Sequence, residues 1–172
     1  MRKTSWIVLG VCVVLVLCLG AAYILTRTTP DSLNKDRAAL IITQMQNAVK
    51  HRDVNTIMSY VSSDPETRIA GLEPDRMRRL LASALHRMES PRADVTGLAM
   101  TGGGDTDEAT LSFDLTVHND GPGQVVVDYT GHVTLELKRV DVPHLFGLYH
   151  TREWRIIGGT QNGPDITSWG DD

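Results

Sequence analysis

Cysteine is nearly missing from this chain. Its 172 residues hold two, Cys12 and Cys18, and both lie inside one apolar run. The polar remainder can therefore form neither a disulfide nor a thiolate centre, and must hold together through its core alone. Asn-X-Ser/Thr sequons, internal repeats and the HxxxH and HExxH spacings of metal sites are also lacking. Positive charge is short as well. Setting aside Arg2 and Lys3, 15 basic residues face 21 acidic ones, a balance that argues against nucleic acid or an anionic lipid surface as the main partner.

What the chain does have is Trp6 to Leu25, an uncharged run of twenty residues. As a helix it would reach about 30 Å, the thickness of a bilayer's hydrocarbon core. A cleaved signal peptide is the rival reading, with Arg2 and Lys3 leading and Gly20-Ala21-Ala22 as the small-residue site. The run continues through Tyr23, Ile24 and Leu25, which favours an uncleaved signal-anchor. A lipoprotein reading fails at Leu17, where a small residue should precede Cys18. The expected layout is a cytoplasmic terminus over 1–5, a single-pass transmembrane anchor over 6–25, a linker over 26–29, one domain over 30–160 and a tail over 161–172. Both readings export the domain. The expected location is the outer side of a bacterial cytoplasmic membrane, facing the periplasm.

The first part of the domain has a period of 3.6. Thr29-Pro30-Asp31 predicts a helix start. Ala38, Ile41, Ile42, Met45, Ala48 and Val49 then share a stripe, with Leu33 and Leu40 opposite. Asp53 caps a second short helix carrying Val54, Ile57, Met58 and Val61, which Asp64-Pro65 ends. A third helix starts near Pro74-Asp75 and turns Met77, Leu80, Leu81, Ala84 and Met88 inward. From Asp94 the period becomes two. Strands are expected over 94–101, 109–117, 125–138 and 150–160, with turns at Gly102–Asp105 and Asn119–Gly123. Gly131, in mid-strand, is the expected bulge or bend. One sheet face is apolar and only the helices can cover it. The fold class is α+β: three helices packed in the concave face of a bent antiparallel sheet.

The segments "HRDVNTIMSYVSSD", "GLEPDRMRRLL" and "REWRII", in this order of elements, resemble the nuclear-transport-factor-2-like superfamily. The resemblance covers about residues 30–160. It implies a cone-shaped, cystatin-like α+β fold shared with ketosteroid isomerase and scytalone dehydratase. An anchor followed by an exported domain is similar, within that superfamily, to accessory lipoproteins and inner-membrane components of secretion assemblies. No catalytic motif of those subfamilies transfers to positions here.

Catalytic members of the superfamily keep acids, bases or histidines inside the cone. Here the alternation sends Val, Leu, Phe and one Tyr inward, while Asp114, Asp128, His118, His132 and Glu136 point outward. Tyr129, Trp154 and Phe113 are the candidate ligand-binding residues, as an apolar pocket with a hydrogen-bonding rim; plain core packing with each polar tip satisfied is the simpler reading of them. Arg76, Arg79 and Arg87, with Arg78, give the third helix a basic outer face. Phe146 stands in an unusually apolar connector over 140–149. These four, Arg76, Arg79, Arg87 and Phe146, are the candidate partner surface, and the polar sheet face is a candidate homodimer surface. No residue pattern calls for a metal, a cofactor or a catalytic centre. The expected function is a membrane-tethered, non-catalytic accessory domain that binds a partner protein or a small apolar ligand. A scaffold component of an envelope secretion or transport assembly is the alternative. An isomerase or dehydratase acting on a hydrophobic substrate comes third.

Overall fold

A computed structural model of the chain describes residues 32–121, 124–144 and 149–163. The expected anchor over 6–25, the linker and Phe146 lie outside these residues. Among the described residues no helix is long and apolar enough to cross a membrane. The chain divides into two compact units. The larger comprises Ser32–Val140 and Trp154–Asp172; the stretch Asp141–Glu153 belongs to the other. In that stretch Arg152 Nε lies 3.7 Å from Asp141 Oδ1.

Helix α1 spans Lys35–Lys50. Its start is five residues later than Thr29-Pro30 suggests, because Asn34 is the cap: its Oδ1 accepts from the Arg37 amide at 2.8 Å. Leu33 is therefore not on a helix face at all. It precedes the cap, is fully buried with Ala38 four residues beyond the cap, and pins the entry of the chain. Leu40 does face solvent. The stripe of α1 otherwise packs as its spacing requires, with Ala38, Ile41, Ile42 and Ala48 buried.

Helix α2, Val54–Ser59, is capped by Asp53, whose Oδ1 accepts from the Thr56 amide at 3.0 Å. It ends at Tyr60, short of Asp64-Pro65, because residues 60–62 join the sheet: Ile156 donates to the Tyr60 carbonyl and Ser62 to the Ile156 carbonyl. A two-residue strand, β1 at Arg68–Ile69, then pairs in parallel with Gly158 and Gly159. It was not legible as a strand, being two residues long. Helix α3, Pro74–Arg87, follows with Pro74 in its first turn. It buries Ala84 and also Leu85.

Four long strands follow: β2 Pro91–Gly102, β3 Glu108–Gly121, β4 Gln124–His144 and β5 Tyr149–Asn162. The curved sheet has five strands in the order β1-β5-β4-β3-β2, one more than the four expected. The β2–β3 turn is held against α1: Gly104 N donates to the Leu33 carbonyl at 2.9 Å. Gly103 has a φ of +77°, and a Cβ there would come within 2.5 Å of the same carbonyl oxygen.

Gly131 is not the bulge. The register shift lies between Val117 and His118, which pair with Tyr129 and Val127, so Asp128 is the extra residue; Gly131 pairs regularly with Leu115. Further along β4 the alternation holds. Tyr129, Leu135 and Leu137 are buried and Val133 half-buried, while Thr130, His132 and Glu136 are exposed. The inner face meets α1 in one cluster built on Ile42, Leu111, Phe113, Leu137 and Ile156. A second cluster joins Ala48, Ile57, Leu85, Met88, Val117 and Tyr129.

Candidate functional site: an apolar cavity

The helices do not fill the sheet's inner face completely. A cavity of about 230 Å³ remains between them. Its floor is β3 and β4, through Phe113, Leu115, Val117, Tyr129 and Val133. Ile42, Met45 and Val49 of α1, Leu81 and Leu85 of α3, and Met88 at the C-cap of α3 form its walls. Ile69, Ala70, Thr160 and Gln161 complete the lining, and Thr160 alone of the lining residues is exposed.

Besides the exposed Thr160, two polar positions punctuate the lining, the Tyr129–Gln161 pair and Gln46. Tyr129, 3% exposed, donates from its hydroxyl to Gln161 Oε1 at 2.9 Å. Burial raises the Tyr129 phenol above its ordinary value of 10, so it stays neutral and a donor across the physiological range. Gly131 makes this arrangement feasible. A side chain there would run into the Tyr129 hydroxyl and come within 3.0 Å of the Asn162 carbonyl oxygen. The second polar position is Gln46 on α1, whose Nε2 donates to the Ala93 carbonyl at 3.0 Å. No Asp, Glu, His, Lys or Arg is among the lining residues. The cavity thus holds a weak, neutral hydrogen-bonding rim and no group that could take a proton from carbon near neutral pH.

Of the expected ligand-binding residues, Phe113 and Tyr129 meet in this cavity and Trp154 does not. Trp154 is buried elsewhere, with the Arg139 guanidinium 5.1 Å from its ring centroid. That arginine went unread in the sequence: it follows Leu137 on the inner face and is itself buried. Arg76, Arg79 and Arg87 are all exposed on α3. Several ionisable side chains of the strands form pairs away from the cavity. His132 Nδ1 lies 2.8 Å from Asp114 Oδ1, both half-exposed. His118 is less solvated than its outward phase suggests, at 14% side-chain exposure, with Nε2 3.2 Å from Asp94 Oδ2. Among the described residues no three metal-ligating side chains cluster. Gln46 was visible in principle, as the polar residue inside the stripe Ile42, Met45, Val49. Gln161 carried no signal, since it falls where alternation stops.

No protein-family model matches the chain, and no curated protein matches it significantly. Solved structures do. A nuclear-transport-factor-2-like superfamily protein from Salmonella enterica is similar at a TM-score of 0.57 and 16% identity, covering 80% of this chain and 96% of that one. A protein from Novosphingobium aromaticivorans described as nuclear-transport-factor-2-like with a cystatin-like fold has a TM-score of 0.55 at 12% identity, covering 90% and 96%. A Streptomyces avermitilis member of the same fold family, provisionally assigned as a dehydratase, reaches 0.54 at 15% identity, covering 73% and 93%. These likenesses establish that the chain has the nuclear-transport-factor-2-like, cystatin-like α+β fold.

Proposed function

We propose that the chain is a membrane-tethered, exported binding domain whose cavity holds a small, neutral, largely apolar ligand carrying one hydrogen-bonding group. The tether is read from the apolar run over residues 6–25. The binding role is supported chiefly by a cavity of about 230 Å³ whose lining contains no ionisable group apart from the neutral Tyr129 phenol. A scaffold would have no use for such a space, since closing it would add stability. A dehydratase or isomerase would need a base beside it, and the lining supplies none.

The volume bounds the ligand. An apolar cavity of about 150 Å³ takes a benzene ring of six carbons, so this one suits roughly nine heavy atoms. The Tyr129–Gln161 pair would receive the ligand's polar end. Charged ligands are excluded, because an ion buried here would find no counter-ion.

Methyl NMR of methionine-labelled full chain in detergent tests this. Met45 and Met88 line the cavity and Met100 does not. Neutral 4-ethylphenol should shift the Met45 and Met88 signals but not Met100. The anion 4-methylbenzoate, nearly the same size, should bind at least about 100-fold more weakly, the desolvation of a carboxylate costing several kcal/mol. Equal binding of both compounds, or of neither, would overturn the proposal.

A further inference from the structure

Gln46 is the one polar residue that α1 contributes to the cavity lining. It is half-buried, and its Nε2 donates to the Ala93 carbonyl at 3.0 Å. A backbone carbonyl can only accept, so this bond fixes the way the amide faces: Nε2 toward β2, Oε1 away from that carbonyl. Oε1 has no hydrogen-bond partner among the described residues. Nor is it sealed off. The sealed-in side-chain atoms without a partner are Thr67 Oγ1, His118 Nδ1, Asp120 Oδ1 and Arg139 Nε. Tying α1 to β2 takes only the donor half of the amide. The acceptor half of this lining residue is left unspent.

The other polar pair stands across the sheet from it. Ala93 pairs with Val117 and Val117 with Tyr129, so two strand spacings, on the order of 10 Å, separate Ala93 from Tyr129. The Tyr129 hydroxyl reaches the other way, donating to Gln161 on β5, the strand beyond β4. The apolar floor is thus flanked by an amide at its β2 side and by a phenol–amide pair at its β4–β5 side.

We propose that Gln46 sets the specificity of this cavity. Its Oε1 accepts a hydrogen bond from the far end of the ligand, so the preferred guest is an uncharged molecule of about nine heavy atoms with a polar group at each end, the one beside Gln46 a donor. The function proposed above asks for one hydrogen-bonding group; this inference adds a second and rests on that reading. With about 3 Å allowed for the hydrogen bond at each end, on the order of 4 Å or more is left between the ligand's two polar atoms. One aromatic ring substituted at opposite positions spans that gap, and substituents on adjacent ring atoms do not. 4-Hydroxybenzyl alcohol has this form. It matches 4-ethylphenol atom for atom, with a hydroxyl in place of the terminal methyl. In an apolar lining that extra hydroxyl would be buried unpaired and would weaken binding; Gln46 Oε1 answers it.

The test titrates both compounds into the full chain and into Gln46→Met, in one detergent so that partition is common to the two proteins. The substitution should lower the affinity for the alcohol, relative to that for 4-ethylphenol, at least about tenfold. In the unsubstituted chain labelled with carbon-13, the Gln46 Cδ resonance should move further downfield with the alcohol than with 4-ethylphenol. Both compounds bring a ring, but only the alcohol brings a donor for each end. A ratio of affinities that Gln46→Met leaves within about twofold, with 4-ethylphenol still bound by the unsubstituted chain, would overturn the role of Gln46 and leave the ligand reading intact. If Gln46→Met does not fold, the carbon-13 shift decides alone, and equal movement with the two compounds overturns the proposal. Binding of neither compound to the unsubstituted chain overturns the ligand reading, and this inference falls with it.

Discussion

Gly131→Ala is the substitution in which the architecture of the cavity is most directly at stake. A new Cβ would overlap the Tyr129 hydroxyl, lie 2.9 Å from the ring carbon bearing it and 3.0 Å from the Asn162 carbonyl oxygen. A flexible side-chain end could yield cheaply, but this one is 3% exposed and holds Gln161 at 2.9 Å. Moving it forfeits a hydrogen bond worth about 1 kcal/mol and strains packed neighbours by about 1–3 kcal/mol. Against this, Ala narrows the unfolded ensemble and returns about 0.4–1 kcal/mol. The net expectation is a loss of about 1–3 kcal/mol, a substantial part of a typical stability of about 5–15 kcal/mol. The clash is specific to the hydroxyl, so its cost can be isolated. Tyr129→Phe removes the closest contact, and Gly131→Ala should then cost about 1–2 kcal/mol less than in the wild-type background. Urea denaturation of the four proteins of the cycle measures this coupling. Additivity within about 0.5 kcal/mol would refute the idea that Gly131 is glycine for the sake of the Tyr129 hydroxyl.

Three further outcomes are expected. Val133→Asp, which puts a carboxylate on the cavity wall, should cost several kcal/mol in thermal or urea melts, whereas His132→Ala, one residue along on the exposed face, should stay within about 1 kcal/mol. Asp107→Ala should destabilise more than Arg139→Met in the same melts, because the Arg139 side chain is 7% exposed and would lose the carboxylate 3.4 Å away, while Asp107, 45% exposed, can return to water when the arginine is replaced. Burial raises the Tyr129 phenol, so the native state holds its proton above pH 10 where the unfolded chain releases it; stability from this group is complete below pH 10 and falls as pH rises toward the native-state value, and Tyr129→Phe should flatten that alkaline decline in a urea titration series.

The parts of the fold that were legible are those where one periodicity runs unbroken against one environment. The stripe of α1, the cap at Asp53 and the inward phase of β3 and of β4 beyond Tyr129 could be read because burial there depends on side-chain spacing alone. Tertiary contacts decided the rest. The start signal at Thr29-Pro30 lies outside the described residues; within them Asn34 caps α1, next to Leu33, which lies in the core against the β2–β3 turn. Strand β1 is defined by its partners Gly158 and Gly159, which no local pattern can announce. Gly131 advertised a distortion, and the sheet spends it instead on room for a neighbouring hydroxyl. The cavity itself could not be read. A void depends on how far α1 and α3 approach the sheet, and residue type alone sets no such distance.

The same inner sheet face handles its polar groups in two ways. Past Leu137 it carries a charge. Arg139 is buried over the Trp154 ring, its Nη1 is 3.4 Å from Asp107 Oδ1, and its backbone amide donates to the Asp107 carbonyl at 2.8 Å. Here the β2–β3 turn and Leu33 close over the strands, and the guanidinium is spent on holding that closure. At Tyr129 the polar group is a neutral phenol answered by a neutral amide, and the space beside it is left open. A charge at the cavity would demand either water or a counter-ion, and both would compete with an apolar guest. The buried charge thus stays by Trp154 and Asp107, and the cavity lining keeps only neutral polar groups. The strands' His118, His132, Asp94 and Asp114 pair with one another outside the cavity lining.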